Sequence, residues 1–149
     1  MHFKSTTLLR RSLLTAVLAW TSTAPLIAAA ADTVSFTAKL SGAAEVPANM
    51  TVGSGSLEAT LDKGSNQLTW TLTYIGLTGP ATMAHFHGPA MPGANAGVAL
   101  PFGGTVSPVE GKATLTPAQA ADLLAGKWYA NVHTAANPGG EIRGQLMVK

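Results

Sequence analysis

From Val34 onward apolar and polar residues alternate with a period of two, a rhythm that an α-helix cannot use and a half-buried β-strand requires. Val34, Phe36, Ala38 and Leu40 point one way, and Ser35, Thr37 and Lys39 the other. The pattern returns at Leu57, Ala59 and Leu61, and again at Leu68, Trp70, Leu72 and Tyr74 with threonines between them. Asp62-Lys63-Gly64-Ser65-Asn66 separates these two runs with turn chemistry, which predicts a hairpin. Shorter strands are predicted around residues 82–87, 97–101, 111–115, 127–134 and 141–148, each bounded by Gly, Pro or Asn.

About eight strands at this spacing imply an all-β fold, an antiparallel Greek-key or immunoglobulin-like sandwich or barrel. One helix is expected. Thr116 can cap it, Pro117 suits its first position, Gln119 completes a capping box and Gly126 stops it. In the last two strands the faces separate cleanly: Trp128, Ala130 and Val132 oppose Tyr129, Asn131 and His133, and Ile142, Leu146 and Val148 oppose Glu141, Arg143 and Gln145.

The first 31 residues have a different character. Lys4, Arg10 and Arg11 precede an apolar run from Leu13 to Ile27, and Ala28 to Ala31 offers a small-residue cleavage pattern, so residues 1–31 are expected to be a cleaved secretory signal. Arg10-Arg11 followed by Ser12, Leu13 and Leu14 also resembles a twin-arginine export signal. The run is interrupted by Thr21, Ser22, Thr23 and Pro25, which argues against a membrane span in the mature form. A periplasmic or secreted domain of residues 32–149 is the expectation.

Cleavage changes the electrostatics. Three of the nine basic residues leave while all seven acidic ones stay, so the net charge becomes −1 and no nucleic-acid partner is indicated. The chain has no cysteine, which excludes disulfides and thiolate metal sites.

The chemistry then falls to three histidines. His85 and His87 flank Phe86, and in a strand this spacing puts both imidazoles on one face with α-carbons roughly 6.5–7 Å apart. His133 lies on the polar face of another predicted strand, from which sheet pairing can bring it to the same point. Three neutral imidazoles with a fourth position open suit copper or zinc, and the divalent affinity order favours copper, with zinc the alternative. Met83 shares the face of His85 and is either a soft additional ligand or simple packing. An H-x-H pair alone is also compatible with purely structural histidines.

Several blocks point further. Met83-Ala84-His85-Phe86-His87-Gly88-Pro89-Ala90, then Ala130-Asn131-Val132-His133-Thr134, then Gly140-Glu141-Ile142-Arg143-Gly144, together with the opening Ala38 to Pro47, resemble the CHRD (chordin) domain family. The resemblance covers nearly the whole mature chain. It implies an all-β domain found singly in secreted bacterial proteins and repeated in an animal growth-factor antagonist, and it supplies a fold rather than a reaction. The family's histidine and Glu/Arg positions match His85, His87, His133, Glu141 and Arg143, with a fourth ligand unassigned.

Glu141 and Arg143 are expected to act either behind the ligands, a carboxylate orienting an imidazole and a guanidinium fixing the carboxylate, or as a surface ion pair. Asn131 is expected to hold a loop or to bond His133, and the Gly/Pro-rich segment 88–104 to be a long loop, either a rim over the site or only a connector. Three functions compete. A metal-binding domain for sequestration, delivery or resistance leads. A metalloenzyme at the same site, with copper superoxide dismutase-like or zinc-water chemistry, has only Glu141 as a candidate acid or base. A metal-free adhesion module predicts an exposed apolar patch and a protein or polysaccharide partner, and the sequence leaves any protein partner or self-association unidentified.

Overall fold

The computed structural model describes residues 32–149 and, before them, His2 alone; the expected signal segment otherwise lies outside the described residues. Nine strands form one antiparallel sheet: β1 Thr33–Ser41, β2 Ser54–Asp62, β3 Gln67–Ile75, β4 Ala81–His87, β5 Val98–Pro101, β6 Val109–Thr114, β7 Tyr129–Thr134, β8 Ile142–Gln145 and β9 Met147–Val148. Their order is β5-β4-β7-β8-β1-β2-β3-β6, with β9 paired to β1. The short closing strands β8 and β9 both pair with β1.

The alternation read from the sequence sets the register. Leu57 faces Leu72, Ala59 faces Trp70 and Leu61 faces Leu68 across β2 and β3, so one face of the hairpin is entirely apolar. That face curls into a half-barrel and encloses the core, with Phe36, Leu57, Leu68, Leu72, Ile142 and Leu146 fully buried. Trp70 of β3 meets Phe86 of β4 edge-on at 5.3 Å between ring centroids, and Phe102 packs on Phe86 at 4.3 Å. These aromatic contacts join the two ends of the curl, so a single bent sheet does the work of two stacked ones.

The one α-helix among the described residues, α1 (Pro117–Leu124), has the expected capping box: Thr116 Oγ1 accepts from the Gln119 amide at 3.2 Å while Gln119 Oε1 accepts from the Thr116 amide at 2.9 Å. Gly126 follows with φ of +71°, the left-handed stop that glycine favours. Among the described residues no helix is long and apolar enough to cross a membrane.

Two details differ from expectation. The final strand breaks into β8 and β9, and Val148, expected to continue the apolar row, is 55% exposed. The polar faces of β7 and β8 do not face water either. Every residue of β7 is buried, because the 88–97 segment folds back over the side away from the core.

A candidate metal centre of three histidines

Phe86 has no solvent exposure, and its place in the core drives both flanking imidazoles to the opposite face of β4. The register brings the third. Met83 lies opposite His133 and His85 opposite Asn131 across β4 and β7, so His133 is the diagonal neighbour of His85. The ring centroids of His85 stand 5.2 Å from His133 and 5.5 Å from His87, and one nitrogen from each ring lies within 4.8 Å of the others.

Hydrogen bonds decide which nitrogens are free. His133 Nδ1 lies 2.9 Å from the Pro138 carbonyl and His87 Nδ1 3.0 Å from the Ala96 carbonyl. A carbonyl can only accept, so both rings carry their proton on Nδ1 and present a bare Nε2. His87 Nε2 is buried with no partner. His133 Nε2 lies 3.3 Å from His85 Nδ1, close to the ~3.3 Å that separates two ligands at tetrahedral angles on an ion with 2.0–2.1 Å bonds. Burial, reinforced by the neighbouring His133 and His87, lowers the His85 pKa; burial does the same to His133, where the Pro138 carbonyl partly opposes it. Both effects favour the neutral, ligating form.

His85 is half-buried and opens the cluster to solvent, and Met83 beside it is 44% exposed at the rim. Behind the rings the sheet face is polar and closed. Tyr129 stacks on His87 with centroids 4.9 Å apart and planes 5° from parallel, and the Arg143 guanidinium lies 3.4 Å from the Tyr129 centroid on the same stack.

The residues expected to support the ligands do so differently. Glu141 hydrogen-bonds no imidazole. Its Oε1 accepts from Thr51 Oγ1 at 2.6 Å and the Thr78 amide at 2.8 Å, and its Oε2 from Thr78 Oγ1 at 2.7 Å and Thr134 Oγ1 at 2.6 Å. Nor do Glu141 and Arg143 form a surface ion pair: both are buried, and Arg143 donates to Asn95 Oδ1 at 2.9 Å and the Ala94 carbonyl at 2.7 Å. Asn131 bonds neither His133 nor a loop, and its Oδ1 is buried without a partner. Backbone carbonyls take over the orienting role that the sequence assigned to a carboxylate, as outer-shell groups at metal sites commonly do.

Comparison with protein families bears on these same blocks. A model of the CHRD domain matches residues 36–146, which includes all three histidines and most of the chain. The chain belongs to the CHRD domain family. No curated protein and no solved structure matches it. In this CHRD domain the H-x-H block supplies two rings from β4, the N-V-H-T block the third from β7, and the G-E-I-R-G block supplies one latch and one clamp behind them.

The segment 94–96 is the feature that sequence reasoning saw only as a rim. Tyr129 OH donates to the Ala96 carbonyl at 3.3 Å and accepts from the Ala96 amide at 3.2 Å, and Asn95 Nδ2 reaches the Val46 carbonyl at 2.8 Å. This strap carries the acceptor that sets the His87 tautomer.

Proposed function

We propose that this CHRD domain binds a transition-metal ion through His85, His87 and His133, copper in the first place and zinc as the alternative, and serves in its sequestration, delivery or resistance. The observation that carries the reading is the convergence of one nitrogen from each ring within 4.8 Å, with the Nδ1–H groups of His87 and His133 paired to carbonyls so that each leaves its Nε2 bare, the His87 one buried and unpartnered. Leaving a buried nitrogen without a hydrogen bond costs about 1–3 kcal/mol, and an ion removes that cost. Imidazole donors without a thiolate place Cu(II) above Zn(II) in affinity. Half-exposed His85 leaves a side from which a fourth ligand enters, and Met83 at the rim is the proposed soft one.

The apolar signal-like segment supports export, so the ion would be met in the periplasm or outside the cell. Among the described residues no carboxylate hydrogen-bonds the rings, and this favours binding over acid–base chemistry at the ion.

Titration of residues 32–149 with Cu(II) and with Zn(II) tests this. His85→Ala and His133→Ala should each lose more than the roughly 10–100-fold that loss of an outer-shell partner costs. Wild-type affinity equal to that of the double variant overturns the proposal. The adhesion reading retains one observation, the exposure of Met50, Val52 and Ile75, and predicts capture of a partner indifferent to chelator.

A further inference from the structure

We propose that Glu45 is a proton-responsive positioning residue of the histidine site: neutral, it leaves Arg143 to hold the 94–96 strap against His87, and ionised it loosens that hold. The inference deepens the metal reading and rests on it for its consequence.

Glu45 lies in the short 43–49 segment that touches both carbonyl-bearing elements behind the rings. On one side its carboxyl rests on Gly140, where any Cβ would collide with Oε1, and Gly140 closes the turn whose Pro138 carbonyl holds His133. On the other side the adjacent Val46 carbonyl receives Asn95 of the strap, whose Ala96 carbonyl holds His87. The residue is 7% exposed, and its Oε1 is buried without a partner.

Among the described residues Arg143 is the one charged group that faces it. The cavities on its two flanks, of about 280 and 260 Å³, are lined from the 43–49, 92–93 and 136–140 segments and from β8, and bring no other titratable side chain. Arg143 stands within attracting distance of Glu45 but gives its donors to Ala94 and Asn95 and its flat face to Tyr129, which in turn stacks on His87. A buried carboxylate with an unmet oxygen demands donors or a cation. Beyond the Val46 amide, the group that attracts it is the guanidinium that clamps the strap, so charge on Glu45 competes with the strap for Arg143.

The switch falls in a useful range. Burial raises the Glu45 pKa from 4.5 to about 7, against the opposing attraction of Arg143 and the Val46 amide. The folded arrangement therefore favours the neutral acid, and the strap is held best below neutrality. Reciprocity follows: if ionised Glu45 weakens metal binding, bound metal raises the Glu45 pKa, by one unit for about every tenfold in affinity.

The test is Glu45→Gln, a neutral isostere. In metal-free protein, amide shifts of Ala94, Asn95 and Ala96 should move with a midpoint near 7 in the wild type, and this component should vanish in E45Q while the imidazole titrations common to both remain. A carboxyl carbon spectrum of wild-type Glu45 reads the same proton directly. In chelator competition with zinc, the affinity advantage of E45Q over wild type should grow from about pH 6.5 to about pH 8.5. Identical strap profiles in the two proteins, or a Glu45 carboxyl titrating in the ordinary carboxylate range, overturn the inference. Zinc that fails to bind wild type overturns the metal reading alone, since the strap is read without metal.

Discussion

Glu45 and Glu141 press on the same turn, on Gly140 and immediately after it, and both are buried, yet their protons behave in opposite ways. Burial pushes both upward. In Glu141 hydrogen bonds from Thr134, Thr51 and Thr78 outweigh it and lower the pKa from 4.5 to about 2; in Glu45 nothing comparable answers, and the pKa rises to about 7. Among the described residues neither has an ion-pair partner within bonding reach. Donors aimed at the carboxylate, rather than depth or a neighbouring cation, decide whether a buried carboxyl in this domain is a fixed charge or a movable proton. Glu141 is thus a latch joining the 49–53 segment, the residues before β4 and the end of β7. Glu45 is adjustable.

The comparison breaks most severely if the latch is removed. Glu141→Ala removes the acceptor of the buried Thr134 hydroxyl and of the partly buried bonds from Thr51 and Thr78, and should lower unfolding free energy by on the order of 3 kcal/mol in urea. Because the latch ends one residue from His133, metal affinity should fall as well, by about 10–100-fold. A loss under about 1 kcal/mol means the donors find other partners.

Next comes Thr134→Val, which takes away one of the two donors to Oε2 and the acceptor used by the Asn137 amide. A loss of about 1–2 kcal/mol is expected, and the Glu141 carboxyl should titrate at higher pH.

Acid titration sharpens the contrast. Glu141 has a depressed pKa, so its contribution to stability is complete above 4.5 and is lost as pH falls toward about 2. Glu141→Gln should erase that slope in urea midpoints measured across this window. Glu45 has a raised pKa, so its contribution is complete below 4.5 and is lost as pH rises to about 7. The smallest effect is therefore a gain: at pH 8 Glu45→Gln should be more stable than wild type by on the order of 1 kcal/mol. Wild type and E45Q with parallel pH–stability curves would remove the contrast.

Much of this architecture was legible in the residues, for local reasons. Alternation from Val34 to Leu40 and from Leu68 to Leu72 appears as β1 and β3, and Thr116, Pro117, Gln119 and Gly126 bound the helix as expected. The two faces of β7 were also assigned correctly, but not their environment. Nothing local to Tyr129 or Asn131 says that a segment 88–97 will cover them, because the cover is held by Arg143, Tyr129 and Gln145 from distant parts of the chain. The partners of Glu141 and Arg143, threonines for one and the 94–95 segment for the other, are hidden from the local pattern for the same reason. Period-two reasoning places a side chain on a face and is silent about what arrives there.

For the candidate centre the division is clear. Phe86 between His85 and His87 settles from sequence alone that two imidazoles share a face, since the apolar ring must enter the core and the pleat reverses at each residue. Only the tertiary structure set His133 diagonal to His85, supplied the Pro138 and Ala96 carbonyls that bare two nitrogens, and left Glu45 without the donors that Glu141 received. Faces follow from backbone geometry one residue at a time; register and hydrogen-bond partners follow from how segments far apart in sequence close on one another.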